Sequence, residues 1–98
     1  MVILIEIMQF EVTLHLSKNK KIASFYIPKI YEAKILKFKG LDSVVTCLDC
    51  NPQIKFVTRL TTKPTKNYIK YIFPIPKRHI STIISTIREY YKIEIKKL

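Results

Sequence analysis

Apolar and polar residues alternate from Phe10 to Leu16, with Phe10, Val12, Leu14 and Leu16 on one side and Glu11, Thr13 and His15 on the other. A period of two predicts a half-buried strand. Ser17-Lys18-Asn19-Lys20-Lys21 is a polar turn, and Ile22 to Ile27 resumes an extended pattern that Pro28 ends. A residue before proline is pushed out of the α region, so Ile27 stays extended, whereas Pro28 suits a first helical turn, where its missing N–H costs nothing. Tyr31, Ile35 and Phe38 then recur at helical spacing, and Gly40 is placed to stop the helix in a left-handed conformation. Val44, Val45, Cys47 and Leu48 predict a closing strand.

The second half repeats this order. Ile54, Phe56 and Val57 lead into Leu60, the stretch from Thr61 to Asn67 reads as a basic turn, and Tyr68 to Ile75 reads as a strand. Pro76 opens a predicted helix carrying Ile80, Ile83, Ile84 and Ile87, and Tyr91 to Ile95 closes the unit. Asp49-Cys50-Asn51-Pro52 is a short, turn-like linker. Tyr-Ile-Pro-Lys at 26–29 and Pro-Ile-Pro-Lys at 74–77 lie 48 positions apart. The Val12-Thr13 and Val57-Thr58 pairs lie 45 apart, so the second hairpin loop is predicted to be three residues longer. Such recurrence suggests one domain over 1–98, built of two repeats at about 9–49 and 53–98. Units of ~45 residues bury too little apolar surface alone and are expected to share a core. Ile3, Ile5 and Ile7 alternate in strand fashion, so residues 1–7 predict an extra N-terminal strand or a tail, with Met8 as an alternative start. That run lacks a basic leader, is interrupted by Glu6 and is too short to cross a bilayer.

Seventeen isoleucines against a single glycine, in 98 residues, indicate a folded domain rather than a disordered chain. Lys and Arg exceed Asp and Glu by 11, and unevenly: residues 1–49 hold 7 basic and 5 acidic side chains, residues 50–98 hold 11 and 2. A surplus of this kind speaks for polyanionic partners, nucleic acid first. The seven carboxylates show no catalytic spacing, one glycine excludes a Gly-rich phosphate loop, and neither His15 nor His79 has an evident nucleophile beside it. The chain is therefore expected to be non-enzymatic and to need no cofactor. Cys47-Leu48-Asp49-Cys50 is a lone C-x-x-C, too few ligands for zinc with only two histidines in the chain. The pair reads as two structural thiols, Cys47 inward on a strand and Cys50 in the linker; a disulfide, of the kind thermophile proteins keep inside cells, is the alternative.

Strand, basic turn, strand ending in Ile-Pro-Lys, short helix, Lys-Gly-x-Asp and a β-branched strand together resemble the AbrB/MazE-type swapped-hairpin DNA-binding domain. Phe25-Tyr26-Ile27-Pro28-Lys29 is similar to the family's strand-to-helix junction. Gly40 lies twelve residues after Pro28, where such domains place the glycine of a Gly-Asp pair, although Leu41 here separates it from Asp42. The second unit keeps Ile75-Pro76-Lys77 but has Arg88 in place of the glycine, so its helix is expected to run longer, towards Tyr90. The resemblance implies a mainly β fold with short helices: an interleaved swapped-hairpin small β-barrel, formed here as a pseudo-two-fold duplication within one chain. It also implies transcription regulation, with double-stranded DNA gripped by basic residues of the hairpin loops and short helices.

Those positions are Lys18, Lys20 and Lys21 in the first loop and Lys63 and Lys66 in the second, with Lys29, Lys34, Lys77 and Arg78 at the helix starts. Cations at helix N-termini oppose the macrodipole, a small folding cost that favours a functional reading. Arg59 and Arg78 are the candidates for base-edge readout, since arginine's planar fork reads bases better than lysine does. Arginines that some family members place in the helix correspond to Glu32-Ala33 and Ile80-Ser81, so sequence preference should differ. Phe25, Tyr26, Tyr68, Tyr71 and Phe73 lie in strands with interleaved lysines and could stack single-stranded bases, but in so small a barrel they are expected to fill the core. The isoleucine-rich segment 80–87 has Ser and Thr rather than Lys on its polar side, which predicts packing onto the barrel or another copy and not onto a membrane. A homodimer of the single-chain pseudo-dimer is thus an allowed assembly, in the cytoplasm. The readings set against a regulator are a protein-interaction module, antitoxin- or inhibitor-like, and a sequence-independent architectural nucleic-acid binder. The end at Lys96-Lys97-Leu98, without the acidic tail antitoxins use to wrap toxins, weighs against the antitoxin.

Overall fold

The alternation at Phe10–Leu16 belongs to a ten-residue strand, β1 (Ile7–Leu16), in a computed structural model that describes residues 7–85 and 87–98. The expected extra strand or tail at 1–7 therefore lies, apart from Ile7, outside the described residues. After β1 come β2 (Ala23–Ile27), the short helix α1 (Glu32–Ile35) and β3 (Asp42–Cys47). β4 (Ile54–Arg59), β5 (Thr61–Pro64), β6 (Ile69–Ile75), α2 (Ile80–Ile84) and β7 (Tyr91–Lys97) complete the chain. A single 3-10 turn precedes each helix, at Lys29–Tyr31 and Lys77–His79. The strands form one curled antiparallel half-barrel in the order β4-β3-β7-β1-β2-β6-β5.

One long strand joins the two parts of the sheet. β1 pairs with β7 through residues 7–12 and with β2 through residues 13–16, so it serves both parts of the sheet. β4 and β5 lie at opposite ends of the strand order yet are separated in sequence only by the buried Leu60. The chain thus bends from one edge to the other, and the Thr58 hydroxyl donates to the Pro74 carbonyl at 3.0 Å, tying β4 to β6 across the gap. Joining the edges leaves less open backbone for unwanted pairing.

The strands are repeat-like. Phe25 stands opposite Phe73 in β2–β6, and Thr46 opposite Glu94 in β3–β7; each pair is 48 positions apart. Phe10 faces Ile93 across β1–β7, and Phe56 faces Val45 across β4–β3. Exchanging the two halves therefore carries each of these pairings onto its counterpart. The first strands are related by 46 positions (Phe10 with Phe56), not by the 45 that Val12-Thr13 and Val57-Thr58 predict. Burial explains the correction: Val12 is 0% exposed and Val57 50%, and a slip of one residue turns a side chain to the other face. The second loop is accordingly two residues longer, not three.

Phe25, Phe38, Phe73, Tyr91, Ile93 and Ile95 fill the core, with Ile35 and Ile83 plugging it from the two helices. Gly40 ends the first helical segment at φ 77°, as the sequence predicts. The second helix is shorter than expected, five residues, and leaves Ile87 61% exposed outside it. Two sets of contacts stop it. The Ser85 hydroxyl donates to the Thr82 carbonyl at 2.7 Å, a local bond that competes with helix propagation. Further on, the Arg88 N–H donates to the Tyr91 hydroxyl at 3.1 Å and the Lys92 N–H to the Asp49 carboxylate at 3.0 Å, drawing the chain back to the linker. The predicted basic turn at 61–67 is also corrected, because Thr61–Pro64 is the edge strand β5. Finally, Cys47 and Cys50 are not free thiols but a disulfide, their Cα atoms 5.5 Å apart where β3 enters the linker turn.

Candidate nucleic-acid interface

The first hairpin loop is held by its own polar side chains. The Lys20 N–H donates to the Ser17 carbonyl at 2.9 Å, and Asn19 Oδ1 accepts from the Lys21 N–H at 3.0 Å and from the Ser17 hydroxyl at 2.7 Å. Lys18, Lys20 and Lys21 all point into solvent. Lys20 has φ 58°, a left-handed conformation that penalises a residue with a Cβ by roughly 1–2 kcal/mol.

Folding brings this loop onto the other half of the chain. Lys20 and Lys21 line a concavity of about 470 Å³ together with Lys77, Ile80, Ser81 and Ile84 of the second helical segment. A second concavity, about 340 Å³, joins Lys29 of the first helical start to Tyr68, Ile69 and Lys70 of the second hairpin, with Tyr26 in its wall. Lysines remote in sequence thus converge twice, each time a hairpin of one half beside a helix start of the other.

The remaining candidates divide. Lys63 stands directly opposite Lys70 in the β5–β6 ladder. Lys18, Lys34, Lys66 and Arg78 are exposed on the expected loops and helical segments but line neither concavity. Arg59 is engaged: its Nε donates to Asp42 Oδ1 at 2.7 Å across the β3–β4 pair, which holds the guanidinium's proton more firmly than usual. Next to Arg78, His79 turns inward against Phe56, ring centroids 5.8 Å apart, with its Nε2 buried and without a hydrogen-bond partner among the described residues. Burial, reinforced by the Arg78 charge, pushes its pKa below the ordinary value.

Of the five aromatic residues weighed between core and stacking, Phe25, Tyr71 and Phe73 are core, whereas Tyr26 and Tyr68 lie at the surface. Sequence reasoning set lysines among these aromatics but did not say which groups meet the exposed rings. His15 stacks on Tyr26 with centroids 4.9 Å apart at 18°, and Lys70 Nζ lies 5.1 Å from the Tyr26 ring centroid and 6.0 Å from that of Tyr68. The signal was available: if Tyr71 and Phe73 point inward, Lys70 and Ile72 point outward, alongside Tyr26.

Among the described residues, no three His, Cys, Asp or Glu side chains gather to hold a metal ion, and no helix is long and apolar enough to cross a membrane. Compared with protein-family models, curated proteins and solved structures, the chain matches none of them.

Proposed function

We propose that this chain is a non-enzymatic, cytoplasmic DNA-binding protein, a small AbrB-like transcription regulator that grips duplex DNA with its basic hairpin loops and helix starts. The observation that carries the reading is the meeting of Lys20 and Lys21 with Lys77 in one concavity whose lining, among the described residues, contains no carboxylate. Three ammonium groups brought together from two halves repel one another, and a phosphate backbone relieves that repulsion. The fold we assign is a swapped hairpin duplicated in one chain, supported by pairings that exchange with the halves and by Phe25 opposite Phe73 at their centre.

In this reading the loop and helix-start lysines set the register on phosphates, and Arg78 offers the accessible fork for a base edge. Arg59 contributes only by exchanging Asp42 for DNA. Fluorescence anisotropy with the protein's own upstream promoter fragment and a shuffled duplex, at low and moderate salt, tests it. The parent should prefer the promoter at moderate salt, and the Lys77→Ala/Arg78→Ala variant should bind several-fold more weakly. A double variant as tight as the parent sinks the helix-start contact. Equal, steeply salt-sensitive binding to both duplexes indicates an architectural protein, and binding to neither points to a protein partner.

A further inference from the structure

The second concavity sets aromatic surface, which duplex binding does not use, beside Lys29, one of the lysines in the duplex-binding reading. Lys70 Nζ stands within reach of two tyrosine rings, at 5.1 Å from Tyr26 and 6.0 Å from Tyr68, distances at which a cation is attracted to a ring face. Lys63 lies directly opposite Lys70, and like charges in that position destabilise an antiparallel pair. Lys29 also lines the concavity, and among the described residues the lining holds no carboxylate. The fold therefore sets two cations, Lys29 and Lys70, in the lining beside aromatic surface, with Lys63 across the ladder from Lys70. Tyr68 is 49% exposed, and its backbone is fixed by Thr65, whose N–H and hydroxyl both donate to the Tyr68 carbonyl at 2.7 and 2.8 Å. An available ring on a fixed turn is a platform for a flat ligand.

We infer that this concavity binds an unpaired nucleotide of single-stranded nucleic acid, the base stacking on Tyr68 and the phosphates taken by Lys29, Lys63 and Lys70. Its volume of about 340 Å³ suits one base with its sugar. Bases within a duplex have both faces covered by their neighbours, and only an unpaired base offers one to a tyrosine. This site is distinct from the Lys20, Lys21 and Lys77 cluster and goes beyond the duplex-binding reading.

The test is anisotropy titration of parent, Tyr68→Ala and Tyr68→Phe proteins with four labelled ligands: a short oligothymidylate, an oligouridylate, an abasic strand of equal length and charge, and a duplex. Circular dichroism verifies that each variant is folded. The parent should bind at least one base-bearing strand about tenfold more tightly than the abasic strand, the margin expected of stacking on an aromatic ring. Tyr68→Ala should erase that margin, Tyr68→Phe should keep it, and duplex affinity should not move. The DNA and RNA strands decide which sugar the site accepts. Equal parent binding to abasic and base-bearing strands overturns the inference, as does a full margin in Tyr68→Ala or a matching loss on duplex. Failure of the parent to bind duplex at all counts against the regulator reading and leaves the strand comparison standing.

Discussion

Lys20 occupies a left-handed position that glycine would adopt without strain. Keeping a lysine there makes sense if its charge is needed more than a relaxed turn. Lys20→Gly removes the Cβ strain but loosens the unfolded chain by a comparable amount, so the unfolding free energy should change by less than about 1 kcal/mol. Duplex affinity should nevertheless fall, which separates function from stability in one variant. His79 makes a different prediction. Its folded pKa lies below the ordinary 6.5, so the folded and unfolded states are both neutral well above that value. As pH falls through 6.5 the unfolded chain takes up a proton that the folded one resists, and stability drops until the lowered folded pKa is passed. Urea unfolding at about pH 7.5 and about pH 5 should show this loss, and His79→Leu should reduce it. At this scale the residue types were legible but their meetings were not. Nothing in the order of the chain places Lys21 beside Lys77, or Lys29 beside Lys70, because those contacts depend on which hairpin crosses which half.

Elements whose one face is buried were readable; those without such a face were not. β1, β2 and β7 announced themselves through inward residues such as Phe10, Phe25 and Ile93, each alternating with polar or exposed neighbours. β5 did not, since all four of its residues are exposed at the sheet edge, and Thr61-Thr62-Lys63-Pro64 carries no imprint of burial. Helix length failed for a different reason: Ile87 completes a helical period in sequence, but just beyond it the Tyr91 hydroxyl and Asp49 hold the Arg88 and Lys92 N–H groups. Among the pairings that join the halves, β2–β6 sets Phe25 and Phe73 opposite each other, both fully buried. Phe73→Ala should lower the unfolding free energy by about 3–5 kcal/mol, through lost burial and the cavity left behind. For a domain of this size, with about 5–15 kcal/mol in total, that is a large share. Phe73→Leu should cost clearly less, and urea titrations of the two variants measure the difference.

Charge at the level of the whole molecule is distributed differently from charge along the chain. Residues 50–98 carry 11 basic and 2 acidic side chains against 7 and 5 in residues 1–49, a contrast that predicts an asymmetric DNA footprint dominated by the second half. Strand pairing works against that outcome. β1 pairs with β7 and β3 with β4, so each half is threaded through the other, and Lys77 of the strongly basic half shares a concavity with Lys20 and Lys21 of the nearly balanced one. If about five phosphates are neutralised, log K should fall against log salt with a slope of roughly −4 to −5. The two sources of charge can then be compared directly. Removing two contacts should flatten the slope by about 2, whether through Lys20→Ala/Lys21→Ala or through Lys77→Ala/Arg78→Ala. Similar flattening by both pairs follows from one interleaved surface to which each half contributes. A slope that responds only to the second pair would instead restore the asymmetric footprint, with the first loop held beside the DNA but not touching it.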